Sequence, residues 1–151
     1  PYLHKDTYSM ITFKQSGIIN ASVEKVFSVV SDPKKIPEWR NDVPRVREIS
    51  GEMKVGTTFV EDVHFMGNKH LLMKVTEYIP NKKLVIEAQS GMPMLPMQSF
   101  TFTPEGSKTR IDLSVVMKAS GFFSMMEFML PAQLKKIWER YFENLDNLLN
   151  K

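Results

Sequence analysis

Apolar residues recur at steps of three and four over the last part of this 151-residue chain, from Leu130 to Leu149. At 3.6 residues per turn this spacing places them on one stripe of an α-helix roughly 30 Å long. The stripe comprises Leu130, Leu134, Ile137, Trp138, Tyr141, Leu145, Leu148 and Leu149, and the opposite face carries Lys135, Lys136, Glu139, Arg140, Glu143 and Asn144. We therefore expect one face of a long C-terminal helix to be buried.

The start of the chain predicts one strand and two short helices. Alternating β-branched and aromatic residues indicate a strand over Tyr8–Ile19. Ser22 is a suitable N-cap for an amphipathic helix that should end at Ser31. Asp32 can cap a second piece of about a turn or two, ending before Trp39.

From Val43 onward the hydrophobic pattern changes to a period of two, which is typical of strands. Six strands are predicted, over Val46–Ile49, Thr57–Met66, His70–Ile79, Lys83–Ser90, Met97–Thr103 and Thr109–Lys118. The breaks between them are short and rich in glycine, proline and asparagine, so the strands should form antiparallel hairpins. The chain is thus expected to be a single α+β domain over residues 1–151, with a seven-stranded sheet packed on the long helix.

The loop at Gly67 and Asn68 decides which side chains face the helix. A loop of two or four residues would pair Glu61 with Lys74 on the outer face, whereas a three-residue loop would reverse the first strand. The first alternative turns inward Val60, Asp62, His64, Leu71, Met73 and Val75. In the last hairpin the inner face should carry Gln98, Phe100, Phe102, Ile111, Leu113, Val115 and Met117.

Composition narrows the chemistry. Cysteine is absent, so disulfides, thiolate metal ligands and cysteine nucleophiles are excluded. The net charge of +3 comes from scattered lysine pairs rather than a basic stripe, so no nucleic-acid partner is expected. No signal peptide or 18-residue apolar span is recognisable, which predicts a cytoplasmic protein that is not transmembrane. Methionine is abundant, at 11 residues, and suits either an adaptable apolar surface or ordinary core filling.

Several motifs resemble those of a known family. The stretch Ile19–Phe27, then Ser31–Pro33 and Ile36–Trp39, resembles the opening of the polyketide cyclase/dehydratase-like branch of the START/birch-pollen-allergen superfamily. Val55–Thr57, Val75–Pro80 and Gly106–Arg110 follow in that family's order and spacing. The resemblance implies a helix-grip fold, in which a curved antiparallel sheet grips the C-terminal helix and encloses a cavity. It does not choose a function, because such proteins include carriers, receptors, cyclases and chaperone cofactors.

Candidate catalytic groups are few, because no phosphate loop, nucleophile elbow or metal-spaced histidine pair is present. If the preferred register holds, Asp62 and His64 face the cavity, where a carboxylate beside a histidine could support general base catalysis. The alternative is that His64 is a solvated or simply hydrogen-bonded residue near a strand end. No metal or cofactor is expected.

Ligand-binding candidates are the residues expected to line the cavity or its rim. Trp39 could stack on a ligand ring or plug the second helix against the sheet. Two apolar segments, 91–97 and 121–130, could form a gate over the cavity, a homodimer contact or a plain closure of the core. The full set of candidates is Trp39, His64, Met73, Met94, Gln98, Phe100, Met117, Phe122, Phe123, Leu134 and Trp138.

The function expected from these features is binding of a hydrophobic small molecule or lipid between sheet and helix, with transport as an extension of binding. Two alternatives remain open at this point. One is a cyclase or dehydratase that uses Asp62 and His64, and the other is a protein-interaction module or chaperone cofactor with a filled core.

Overall fold

The computed structural model describes residues 8–120, 124–125 and 128–151. Seven strands form one antiparallel sheet: β1 Tyr8–Ile19, β2 Arg45–Arg47, β3 Thr58–His64, β4 Asn68–Ile79, β5 Lys83–Ser90, β6 Leu95–Glu105 and β7 Lys108–Ser120. Their order across the sheet is β1-β7-β6-β5-β4-β3-β2, so β1 and β2 occupy opposite edges. The prediction of a seven-stranded antiparallel sheet is confirmed.

In the described part of the chain three α-helices accompany the sheet: α1 Val23–Val30, α2 Ile36–Trp39 and α3 Leu130–Leu149. Ser22 caps α1 through its side chain, as predicted. Asp32 caps a 3-10 turn, Pro33–Lys35, which leads directly into α2. These short helices carry the chain from one edge of the sheet to the other, between β1 and β2.

The long helix α3 packs on the inner face of the sheet, which gives the helix-grip architecture. Its buried residues are Leu130, Trp138, Tyr141, Phe142 and Leu145. At Gly17 in β1, an added Cβ would lie 2.8 Å from Cδ2 of Phe142. A glycine there lets the helix approach the sheet closely.

The preferred register between β3 and β4 is wrong. Glu61 lies opposite Leu71 and His64 opposite Asn68, so the loop has three residues, with Met66 and Gly67 at positive φ. Because side chains alternate between faces, the three-residue loop turns Phe59, Glu61 and Val63 inward and the intervening residues outward. The inward face predicted for Leu71, Met73 and Val75 is correct.

Several strand boundaries also differ from the prediction by one to two residues, and two of these differences have a local reason. β2 ends at Arg47 because Glu48 adopts a left-handed backbone conformation, with φ of 54°. β6 begins at Leu95, two residues before the predicted start at Met97, since Leu95 and Pro96 already pair with β7. Within the described part of the chain, no helix has the length and hydropathy needed to cross a membrane.

Candidate functional site

A cavity lies between the inner face of the sheet and α3. It leaves about 70 Å³ in which the centre of a water-sized sphere can move. Its described lining residues are Phe13, Arg40, Asp42, Glu61, Val63, Phe65, Leu71, Met92, Pro96, Gln98, Val115, Met117, Leu134 and Trp138. Most of this wall is apolar, and the polar groups are contributed by only four residues.

Aromatic rings fill much of the space beside the cavity. Trp138, on α3, makes edge-on contacts with Phe100, Trp39 and Tyr141, at centroid distances of 5.9, 6.1 and 5.2 Å. Asn144, also on α3, donates a hydrogen bond to the Trp39 carbonyl oxygen at 3.1 Å. These contacts fix α2 against α3 and hold the indole of Trp138 in the cavity wall.

An ionic cluster, made of Arg40, Asp42 and Glu61, forms most of the polar part of the wall. Arg40 and Glu61 are buried, and Asp42 is partly exposed. Arg40 Nε and Nη2 donate to the two carboxylate oxygens of Asp42, at 3.3 and 3.0 Å. Arg40 Nη1 lies 3.7 Å from Glu61 Oε2. The guanidinium also lies over the ring of Trp138, with Cζ 4.9 Å from the ring centroid. One arginine therefore faces two carboxyl groups and an aromatic ring.

Local structure explains how these three residues meet. Arg40 directly follows α2, and its backbone N–H donates to the Ile36 carbonyl to end that helix. The backbone N–H of His64 donates to the Asp42 carbonyl at 2.7 Å, which holds the chain after α2 beside the end of β3. Alternation along β3 then points Glu61 inward.

Burial shifts the acid–base behaviour of this cluster. The pKa of the Glu61 carboxyl is raised, mainly because burial disfavours its charged form, while Arg40 opposes the shift. The pKa of the Tyr141 hydroxyl is also raised, first by burial and then by the charge of Asp42. The pKa of Arg40 is raised because Asp42 and Glu61 together outweigh the effect of its burial. Glu61 is thus a buried acid that resists ionisation, and Arg40 stays charged.

Four predicted ligand-binding residues line the cavity: Gln98, Met117, Leu134 and Trp138. Four others, Trp39, Met73, Met94 and Phe100, are buried in the surrounding core and are absent from the lining. Phe122 and Phe123 lie outside the described residues. Ligand contact by any of these side chains stays a prediction.

The inward orientation of Asp62 and His64 is wrong. Asp62 lies on the outer face, where it accepts hydrogen bonds from Arg47 and contacts His70 Nδ1 at 2.7 Å. His64 is exposed, and its Nδ1 lies 2.6 Å from Asn68 Oδ1. The hypothetical pairing of Asp62 with His64 inside the cavity therefore does not exist, because the three-residue loop reverses β3.

The two apolar segments differ in where they lie. Met92 and Pro96, from segment 91–97, line the cavity. In segment 121–130, the described side chains of Met125, Phe128 and Met129 are exposed rather than folded over the cavity. A gate formed by both segments, and a homodimer contact, stay predictions.

Sequence reasoning missed the ionic cluster. A signal for Glu61 was present, because it shares its alternation phase with Phe59, Val63 and Phe65, a larger apolar set than the opposite phase offers. Arg40 and Asp42 lie in an irregular segment with no periodicity, so no pattern predicts their orientation. Among the described residues, no group of three or more His, Cys, Asp or Glu side chains is placed to hold a metal ion.

The sheet, the gripped helix and the cavity between them define the helix-grip class of proteins. Residues 10–150 match the model of the family described as polyketide cyclase/dehydrase and lipid transport. The chain belongs to this family. Proteins of this family generally bind hydrophobic ligands or act as cyclases. No curated protein matches the chain.

Solved structures with similar folds share little sequence with this chain. An aromatase/cyclase from a Streptomyces species has a TM-score of 0.79 at 11% identity, covering 94% of each chain. A START superfamily protein from Mycobacterium smegmatis has a TM-score of 0.74 at 17% identity, covering 92% of this chain and 97% of its own. Norcoclaurine synthase from Thalictrum flavum has a TM-score of 0.73 at 13% identity, covering 100% of this chain and 92% of its own. At such identities the likeness shows the fold alone.

Proposed function

We propose that this chain binds a hydrophobic small molecule or a lipid in the cavity between the sheet and α3. The observation that carries the proposal is the cavity wall, which is mostly apolar and contains a few buried polar groups. Such a composition is typical of small-molecule sites, where apolar area supplies affinity and polar groups orient the ligand. Each Å² of apolar ligand surface removed from water would contribute about 25 cal/mol.

The size of the cavity limits what enters without rearrangement. Sites for drug-sized ligands typically enclose about 300–1,000 Å³, whereas this cavity offers about 70 Å³ to the centre of a water-sized sphere. Met92 and Met117 are the methionines of the described lining. Because methionine has three soft torsions, we expect these side chains to move outward as a larger ligand enters.

Native mass spectrometry of freshly purified protein tests the proposal directly. We expect a stoichiometric adduct, and organic extraction of that adduct would identify the ligand class. A protein of clean apo mass that also fails to take up added octan-1-ol would contradict the proposal.

A matched pair of variants locates the binding site. Val115 lines the cavity, whereas its neighbour Val116 lies on the outer face of the same strand. Val115→Phe should fill the cavity and abolish uptake, and Val116→Phe should leave uptake unchanged. Equal uptake by both variants would place the ligand elsewhere.

A specific observation also favours a second candidate, an enzyme of the cyclase or dehydratase type. Glu61 is a buried acid with a raised pKa beside the charged Arg40, and a group of this kind can deliver a proton inside an apolar pocket. The test is to incubate the extracted ligand with the wild type and with Glu61→Gln, and to follow loss of water by mass spectrometry. Turnover in the wild type that is lost in the variant would support an enzymatic function. An unchanged ligand with both proteins would support a function of binding without catalysis.

A further inference from the structure

The polar side chains of the cavity wall differ in whether they already have partners within the protein. All three side-chain nitrogens of Arg40 have partners, because two of them donate to Asp42 and the third faces Glu61. Both carboxylate oxygens of Asp42 accept hydrogen bonds from the same arginine. The positive charge of Arg40 is therefore already balanced, and it has no need of an anionic ligand.

Glu61 and Gln98, in contrast, have side-chain atoms without a hydrogen-bond partner among the described residues. Glu61 is 1% exposed, and its Oε1 has no hydrogen-bond partner among the described residues. Gln98 is 6% exposed, and no side-chain hydrogen bond joins it to another residue in the described part of the chain. Buried polar atoms in native proteins almost always have partners. Glu61 Oε1 is an exception of this kind in the cavity wall, and the Gln98 amide of the same wall has no side-chain partner either. Together they point to a partner that enters the cavity.

Charge decides the chemistry of that partner. A carboxylate ligand would meet Asp42 and Glu61, two acids that already outnumber the single arginine. A neutral hydroxyl group meets no such repulsion, and it can donate to a carboxyl oxygen while accepting from an amide N–H. Oε1 is sealed from water by its neighbours, so a rotation about the soft terminal torsion of Glu61 is needed to present it.

We propose that Glu61 and Gln98 form a subsite for a neutral hydroxyl group on an otherwise apolar ligand. The hydroxyl donates to a Glu61 carboxyl oxygen and accepts from the Gln98 amide, while its hydrocarbon part lies against the apolar wall. This subsite rests on the proposed binding function, and it narrows the ligand class to alcohols and phenols.

The test compares four probes of equal chain length: octan-1-ol, its methyl ether, octanoate and octylammonium. Fluorescence of the two tryptophans of the chain should report binding. Trp138 lines the cavity, and the ring of Trp39 contacts the ring of Trp138. We expect octan-1-ol to bind about tenfold more tightly than the ether, which cannot donate, as one buried hydrogen bond allows. Octanoate should bind more weakly still.

Variants assign the preference to the subsite. In Glu61→Leu the alcohol and the ether should bind equally, because only the alcohol donates to Glu61. Gln98→Leu should weaken both probes, because both oxygens accept from the Gln98 amide. Asp62→Leu is the matched control, because the neighbouring carboxylate lies on the other face of β3, and it should keep the wild-type preference. If Glu61→Leu does not fold, two measurements still test the subsite: the effect of Gln98→Leu, and the ratio of the wild-type affinities for the alcohol and the ether.

Different failures have different meanings. Binding of ether or octanoate as tightly as alcohol would overturn the hydroxyl subsite and leave the binding function intact. Tighter binding of octylammonium would replace the subsite by a cation site. Absence of binding for all four probes, together with a clean apo mass, would overturn the subsite and the proposed function together.

Discussion

Two neighbouring carboxyl groups of β3 have opposite surroundings. Glu61 points inward, is almost fully buried, and has Arg40 Nη1 at 3.7 Å as its nearest cation. Asp62 points outward, accepts hydrogen bonds from Arg47 at 3.2 Å, and contacts His70 at 2.7 Å. Burial raises the pKa of Glu61, whereas the hydrogen bonds from Arg47 and then from His70 lower the pKa of Asp62.

The difference shows that an adjacent arginine does not by itself set the behaviour of a carboxyl group. On the inner face, loss of hydration outweighs the attraction of Arg40, which is shared with Asp42. On the outer face, water remains available and short hydrogen bonds stabilise the charged form. The inner group therefore suits exchange of a proton or hydrogen bond with a ligand, and the outer group suits a surface ion pair.

The largest expected effect comes from removing the inner cation. Arg40→Met should lower the free energy of unfolding by about 3 kcal/mol, because it leaves two carboxyl groups without their buried partner. Urea unfolding followed by circular dichroism measures the change. Arg47→Met is the matched control on the outer face, and it should have little effect because exposed ion pairs contribute little. Equal losses in the two variants would contradict the contrast between the faces.

A smaller effect is expected in the pH dependence of stability. Because the folded-state pKa of Glu61 is raised above its ordinary value of 4.5, its contribution is fully present below that value and is lost as pH rises through the folded-state pKa. Glutamine does not ionise, so the Glu61→Gln variant should not lose this contribution. The free energy of unfolding of the variant should therefore fall less than that of the wild type between pH 4.5 and neutrality. Urea midpoints measured across this range test the prediction.

Asp62 should act in the opposite direction. Its folded-state pKa lies below the ordinary value of 3.8, so its contribution is present above that value and is lost as pH falls through the folded-state pKa. Asp62→Asn should flatten the acid side of the stability profile and leave the range above pH 4.5 unchanged. Identical profiles for Asp62→Asn and Glu61→Gln would show that the two carboxyl groups are not distinguished by their faces.

The smallest expected effect concerns the two partners of Asp62. Arg47 lowers the pKa of Asp62 more than His70 does. Arg47→Met should therefore raise the pKa of Asp62 more than His70→Gln, as followed by carboxyl carbon shifts in an NMR titration. A larger rise in His70→Gln would reverse the order of the two partners.

The helices and strands of this fold follow from local patterns in the sequence. The stripe over Leu130–Leu149 predicted the bounds of α3, and Ser22 predicted the start of α1, because helical periodicity and capping are local properties. Alternation and short turns predicted the seven strands and their antiparallel pairing. The inner face of the last hairpin, including Gln98, also followed from its pattern.

The orientation of β3 and the ionic cluster were decided only by the tertiary structure. A change in loop length by one residue exchanges the two faces of a strand, so the three residues between His64 and Asn68 moved Glu61 inward and Asp62 outward. Arg40 reaches Glu61 because α2 ends beside β3, a contact between segments that have no common periodicity. Burial and partnership depend on what other segments bring to a residue, and these determined which carboxyl group faces the cavity.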